Sequence, residues 1–208
     1  KGAMLTHANL VSNAVAFAAW IKGAVAEETF LAALPLFHIY GMTTGMNSPI
    51  HQAAKMVMLP RFETKNTLEA IQKHKVTVFC GAPTMYALLL SSPDLAKYNL
   101  KSVKFCISGS APLPPEVQRK WMDVTGGVLV EGYGLTESSP VTHCNPLDKS
   151  LKTVKIGSIG VPWLDTDAKI MDMETGQTEV PVGETGELTV YGPQVMKGYW
   201  KMAEETAD

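Results

Sequence analysis

The run Glu131-Gly132-Tyr133-Gly134-Leu135-Thr136-Glu137-Ser138-Ser139-Pro140 concentrates an aromatic ring, a hydroxyl and a carboxylate among small residues. That set suits a nucleotide. The Tyr133 ring can stack on a base, Thr136 can donate to a phosphate oxygen, and Glu137 can hold Mg2+ that phosphates already ligate. A single glutamate is enough there, because Mg2+ on a nucleotide keeps phosphate and water oxygens in its shell. The same residues also read as a glycine-hinged surface turn with a threonine cap, and the pattern alone leaves both readings open. A second run, Ser108-Gly109-Ser110-Ala111-Pro112-Leu113, has side chains small enough for a flat ligand to approach the backbone and hydrogen-bond to it. It reads equally as a tight turn leading into a capped helix. The third run, Leu34-Pro35-Leu36-Phe37-His38-Ile39-Tyr40-Gly41, sets one imidazole between two aromatic rings. One polar group on an apolar wall is the make-up of a small-molecule pocket, although a lone histidine also serves structure.

These runs need elements that bring them together, and the apolar periodicity supplies them up to about residue 135. Thr6 to Lys22 has helical spacing with Thr6 as cap, and Thr64 to His74, Pro83 to Ser91 and Pro114 to Val124 are three further helices. Thr29 to Leu34, Lys55 to Leu59, Val76 to Cys80, Val103 to Ile107 and Val128 to Glu131 read as strands, nearly continuous in apolar residues and so buried on both faces. Strand, loop, helix, strand at this spacing predicts an α/β fold with a doubly wound, layered sheet. All three runs follow strands, where ligands of open α/β sheets bind. Beyond Thr153 the texture changes to short alternating runs, Ala168 to Met171 and Glu187 to Val190, separated by glycine turns. The expected division is an α/β part over residues 1–145 and the start of a β-rich, barrel-like subdomain over 146–208.

The chain has 208 residues, 46% apolar and 18% charged, with a net charge of −2. Disorder and low-complexity architectures are excluded by that composition, and no basic cluster supports capture of nucleic acid or an anionic membrane. Membrane contact is at most peripheral, since Leu10 to Ile21 falls short of the roughly 20 apolar residues of a bilayer span. Cys80, Cys106 and Cys144 lack metal-ligand spacing, and Cys80 and Cys106 read as small buried hydrophobes. A reducing cytoplasm fits them. His7, His51, His74 and His143 also lack metal-ligand spacing, which points away from a metalloenzyme. Neither a dinucleotide fingerprint, a complete Walker loop nor a Gly-x-Ser-x-Gly elbow occurs.

Taken in order, the three runs, Gly157-Ser158-Ile159-Gly160-Val161-Pro162 and the closing stretch from Gly186 to Trp200 resemble the adenylate-forming superfamily. Its members include acyl-CoA synthetases, luciferases and peptide-synthetase adenylation domains. The texture is most similar to a medium- or long-chain fatty acid:CoA ligase. The resemblance implies that ATP activates a carboxylic acid to an acyl-adenylate and that coenzyme A then takes the acyl group. It assigns adenine stacking to Tyr133, a phosphate contact to Thr136, Mg2+ to Glu137, and a place near the reacting carboxylate to His38. Gly109, Ser110, Ala111, Pro112, Glu131, Gly132, Gly134 and Leu135 complete the implied nucleotide wall. Fatty acid, ATP and coenzyme A are the implied partners, with a homodimer allowed for the full-length protein.

The resemblance also implies that Lys1-Gly2 ends a phosphate loop and that the C-terminal lid domain lies beyond Asp208, so the segment alone is expected to be inactive. Tyr191 stands where the family often has arginine. Phe37-His38 carries no following aspartate of the kind that holds an amino acid substrate. An aryl-acid:CoA ligase and a non-catalytic nucleotide-binding module are the alternative readings.

Overall fold

In the computed structural model, which describes every residue except 24, 149 and 208, alternate residues of each central strand enter opposite cores. Strands β1 (Thr29–Ala32), β3 (Val78–Gly81), β4 (Phe105–Ser108) and β5 (Val128–Gly134) lie side by side and parallel, with β2 (Lys55–Met58) beyond β1. Phe30, Val78, Cys80, Ile107, Val128 and Val130 pack on one face, and Leu31, Phe79, Cys106 and Leu129 on the other. Period-two alternation inside an unbroken apolar run is what a sheet covered on both sides requires. The expected α/β architecture is therefore present.

Helix α1 (His7–Ile21) covers the first face, where Phe17 and Ile21 are buried beside Trp163. Its start is set by Thr6, whose Oγ1 accepts from the Asn9 amide at 3.2 Å while Asn9 Oδ1 accepts from the Thr6 amide at 2.8 Å. The second face is covered by α4 (Thr64–His74), α5 (Pro83–Leu90) and α6 (Pro115–Thr125). Proline opens α5 and α6, and Gly126 closes α6 at φ +73°. Trp121 of α6 is fully buried against Phe79 and Tyr86, and its indole N–H donates to Cys106 Sγ at 3.3 Å. The segment after the third run is helical but interrupted: α2 (Ile39–Met42) and α3 (Ser48–His51) are joined by a π-helical turn, Thr43–Asn47. All three thiols are free and buried. Among the described residues no helix is long and apolar enough to cross a membrane.

Two antiparallel strands extend the sheet past β5. β6 (Val141–Cys144) pairs with β5, and β7 (Val161–Pro162) pairs with β6, giving the order β2-β1-β3-β4-β5-β6-β7. The sheet thus takes in residues beyond 145. A separate two-stranded hairpin, β8 (Asp167–Met171) with β9 (Glu187–Tyr191), follows in register Asp167 to Tyr191.

Candidate active site

A cleft of about 250 Å³ opens at the carboxyl ends of β4 and β5. All three runs meet in it. His38, Ile39 and Tyr40 come from the start of α2, Ile107, Gly109 and Ser110 from the end of β4, and Gly132 to Thr136 from the end of β5, with Pro140 and Val141 opposite.

Local chemistry explains each wall. His38 caps α2, its Nδ1 accepting from the Tyr40 amide at 3.2 Å. A neutral imidazole held that way carries its proton on Nε2, which is free to donate. Tyr40 is buried, and its hydroxyl donates to the Ile107 carbonyl at 2.8 Å. From the opposite face of the sheet the Tyr86 hydroxyl is shared between the Phe79 carbonyl at 2.9 Å and the same Ile107 carbonyl at 3.0 Å. A side chain on Gly109 would sit 3.3 Å from the Tyr40 ring, so glycine lets the loop close over it. Ser110 follows in the left-handed region at φ +71°. A bulge between Tyr133 and Gly134 bends β5 out of the sheet, and a β-carbon on Gly134 would collide with the Pro140 carbonyl. Tyr133 is left 36% exposed, its ring accessible to a base.

Residues 135–141 close on themselves and are tied down from three sides. Ser138 Oγ donates to Pro140 O at 2.6 Å, and the Leu135 amide donates to Pro140 O at 3.0 Å. Asn13 of α1 donates to Val141 O at 2.9 Å, Thr43 Oγ1 donates to Ser139 O at 3.0 Å, and the Met196 amide donates to Glu137 O at 2.7 Å. Thr136 is thereby presented, exposed, at the rim.

The remaining expected residues lie outside the lining. Ala111 and Pro112 are exposed beyond Ser110. The half-buried Glu131 has its pKa raised by loss of water, a shift opposed by a hydrogen bond to the Leu113 backbone. Half-buried Glu137 turns toward the closing stretch, where its Oε1 accepts from the Tyr199 hydroxyl at 2.6 Å. Asn13, Thr43 and Tyr199 were not singled out by the residue pattern. Their one local signal is a buried amide in an apolar helix, Asn13, which reads on its own as an interruption of that stretch. Among the described residues no group of three or more His, Cys, Asp or Glu could hold a metal ion. A lone, half-buried glutamate is a hard oxygen donor and fits Mg2+ that arrives already bound to phosphates.

Residues 1–200 match the family described as AMP-binding enzyme. The chain belongs to that family. Its AMP-binding fold is 52% identical to a long-chain-fatty-acid CoA ligase of Bacillus subtilis strain 168, over all of this chain and 36% of the relative. It is 36% identical to a feruloyl-CoA synthase of an Amycolatopsis species, covering 41% of that protein. The crystal structure of ATP-bound MatB from Rhodopseudomonas palustris superposes with a TM-score of 0.90 at 36% identity, over all of this chain and 40% of that one. The chain thus spans about two fifths or less of the length of these AMP-binding relatives.

Proposed function

We propose that this chain supplies the nucleotide and acyl walls of an AMP-forming fatty acid:CoA ligase that works in the cytoplasm. The observation that carries the reading is the single cleft in which His38, Gly109 and the stretch Tyr133 to Thr136 converge. The 52% identity to a long-chain-fatty-acid CoA ligase supports the substrate class. In the first half-reaction a carboxylate oxygen attacks the α-phosphorus of ATP and pyrophosphate leaves. In the second, the coenzyme A thiolate attacks the acyl carbonyl and AMP leaves.

The chain's own contribution is orientation and electrostatics, from which such transfers gain most. Tyr133 stacks on adenine, with the Gly109-Ser110 backbone beside it. The Thr136 hydroxyl donates to a phosphate oxygen, a charge-assisted bond of about 1.5–3 kcal/mol. His38, through Nε2, donates to the carboxylate of the acid. Glu137 holds Mg2+, which when bound neutralises phosphate charge. The apolar side chains of Ile39, Tyr40, Ile107 and Val141 exclude water around the reacting groups.

Pyrophosphate exchange into ATP by the full-length protein, with medium- and long-chain fatty acids and an aryl acid compared, tests the proposal. Exchange that depends on a fatty acid is the expected result. Exchange with aryl acids alone shifts the assignment to the aryl-acid ligase that the feruloyl-CoA synthase similarity favours, and no exchange with any carboxylic acid overturns it.

A further inference from the structure

The geometry points to Tyr199 as a positioning residue that aims the Glu137 carboxylate. The inference rests on the reading of Glu137 as the group that meets the cation carried by ATP. Glu137 stands in a short 3₁₀ turn, Thr136–Ser138, whose main chain is held by Asn13 on Ser138 and Met196 on Glu137, with Thr43 holding Ser139 just after it. That fixes its Cα but leaves the side-chain torsions free, and a glutamate that must search for its cation loses rotamer entropy on binding. The Tyr199 hydroxyl removes that freedom by donating to Oε1 at 2.6 Å. With Oε1 held, the rotation of the carboxylate is restricted and Oε2 is the oxygen left for a ligand. Outer partners of this kind orient metal-binding carboxylates and govern their affinity.

Tyr199 is itself anchored well enough to act as a fixed point. Its amide donates to Thr206 Oγ1 at 2.9 Å, it bridges to Ala3, and the Lys1 ammonium lies 5.2 Å from its ring centre. The stretch leading to it is pinned too. Asn9 donates to Pro193 O at 2.7 Å and to Val195 O at 2.8 Å, and the Lys197 amide donates to Met4 O at 3.1 Å. The closing stretch therefore meets Glu137 at two points, the Met196 amide on its main-chain carbonyl at 2.7 Å and the Tyr199 hydroxyl on its carboxylate, and only the second acts on the side chain.

The test is calorimetry of ATP binding to the full-length protein, with and without Mn2+ and with no acid present, for wild type, Tyr199→Phe, Glu137→Gln and the double variant. The quantity read is the gain in ATP affinity that Mn2+ confers. Tyr199→Phe is expected to cut that gain about tenfold while leaving metal-free ATP affinity unchanged, a split that general damage to the fold does not produce. The double variant is expected to lose no more than Glu137→Gln alone, because Tyr199 acts through Glu137. If Tyr199→Phe keeps the full gain while Glu137→Gln loses it, the positioning role is overturned and the reading of Glu137 stands. If the single losses multiply in the double variant, Tyr199 acts on the fold and the proposal also fails. If Glu137→Gln keeps the full gain, or the wild type shows none, both the positioning role and the reading of Glu137 fall.

Discussion

The parallel half of the sheet and the β8–β9 hairpin are both made of short strands, yet they treat their side chains in opposite ways. Every residue of β1 and β3 is buried, whereas every residue of β8 and β9 is exposed or half-exposed, and Val182 in the loop between them stands fully in solvent. Hydrogen-bonded pairing is therefore common to both regions, and burial is what separates them. The cleft grows out of the buried region, where loop ends are held by two cores. The hairpin has no comparable face to hold a ligand.

The contrast can be broken first by large truncations. Trp121→Ala removes a fully buried indole and is expected to cost about 3–5 kcal/mol, whereas Ile170→Ala on the half-exposed hairpin should cost about 0.5 kcal/mol or less. Urea unfolding of both variants checks this, and equal costs erase the distinction. Gly134→Ala tests the cleft's own edge. With the Pro140 carbonyl in the way of a β-carbon, about 1–3 kcal/mol of overpacking is expected, and ATP titration should show weaker binding as residues 135–141 shift. A smaller effect is expected from Tyr40→Phe, which deletes one donor to Ile107 O while Tyr86 keeps the other, a loss of about 0.5–1.5 kcal/mol by denaturation.

The smallest difference is linked to protons. His143 of β6 sits opposite Tyr133 in the antiparallel pair, and burial lowers its pKa from 6.5. A folded state that disfavours the imidazolium binds fewer protons than the unfolded chain just below that value. Stability from this group is therefore complete above about pH 6.5 and declines as pH falls toward the lowered folded value. Melting temperatures of wild type and His143→Asn across that window should converge as acid is added. A wild-type profile as flat as the variant's removes His143 from the argument.

The parallel strands and their helices were legible because each signal was local. An apolar run bounded by glycine or proline reports its own burial, so β1 to β5 and α4 to α6 were placed to within a few residues. Val76 and Val103 show the residual error: they are buried but precede the first paired residues, Val78 and Phe105. β6 escaped notice because Val141-Thr142-His143-Cys144 carries two polar residues and gains its burial only by pairing back onto β5. The three runs were visible as chemistry, and the cleft that joins them agrees with where strand ends should meet. What holds them was not visible. Asn13 and Thr43 act on carbonyls about a hundred residues away, and Tyr199 meets Glu137 across 62. Contacts at such separation leave no periodicity to read.

The Ile107 carbonyl, which receives one tyrosine hydroxyl from each face of the sheet, gives the two cores a common reference point. A change beneath α5 that displaces Tyr86 alters the cleft wall from behind, without touching any residue that lines the cleft. In a collection of random variants, some losses of nucleotide binding would then map to the far layer of the protein. Remodelling the cleft wall around Tyr40 would in turn be felt as a change of packing in the layer that holds Tyr86.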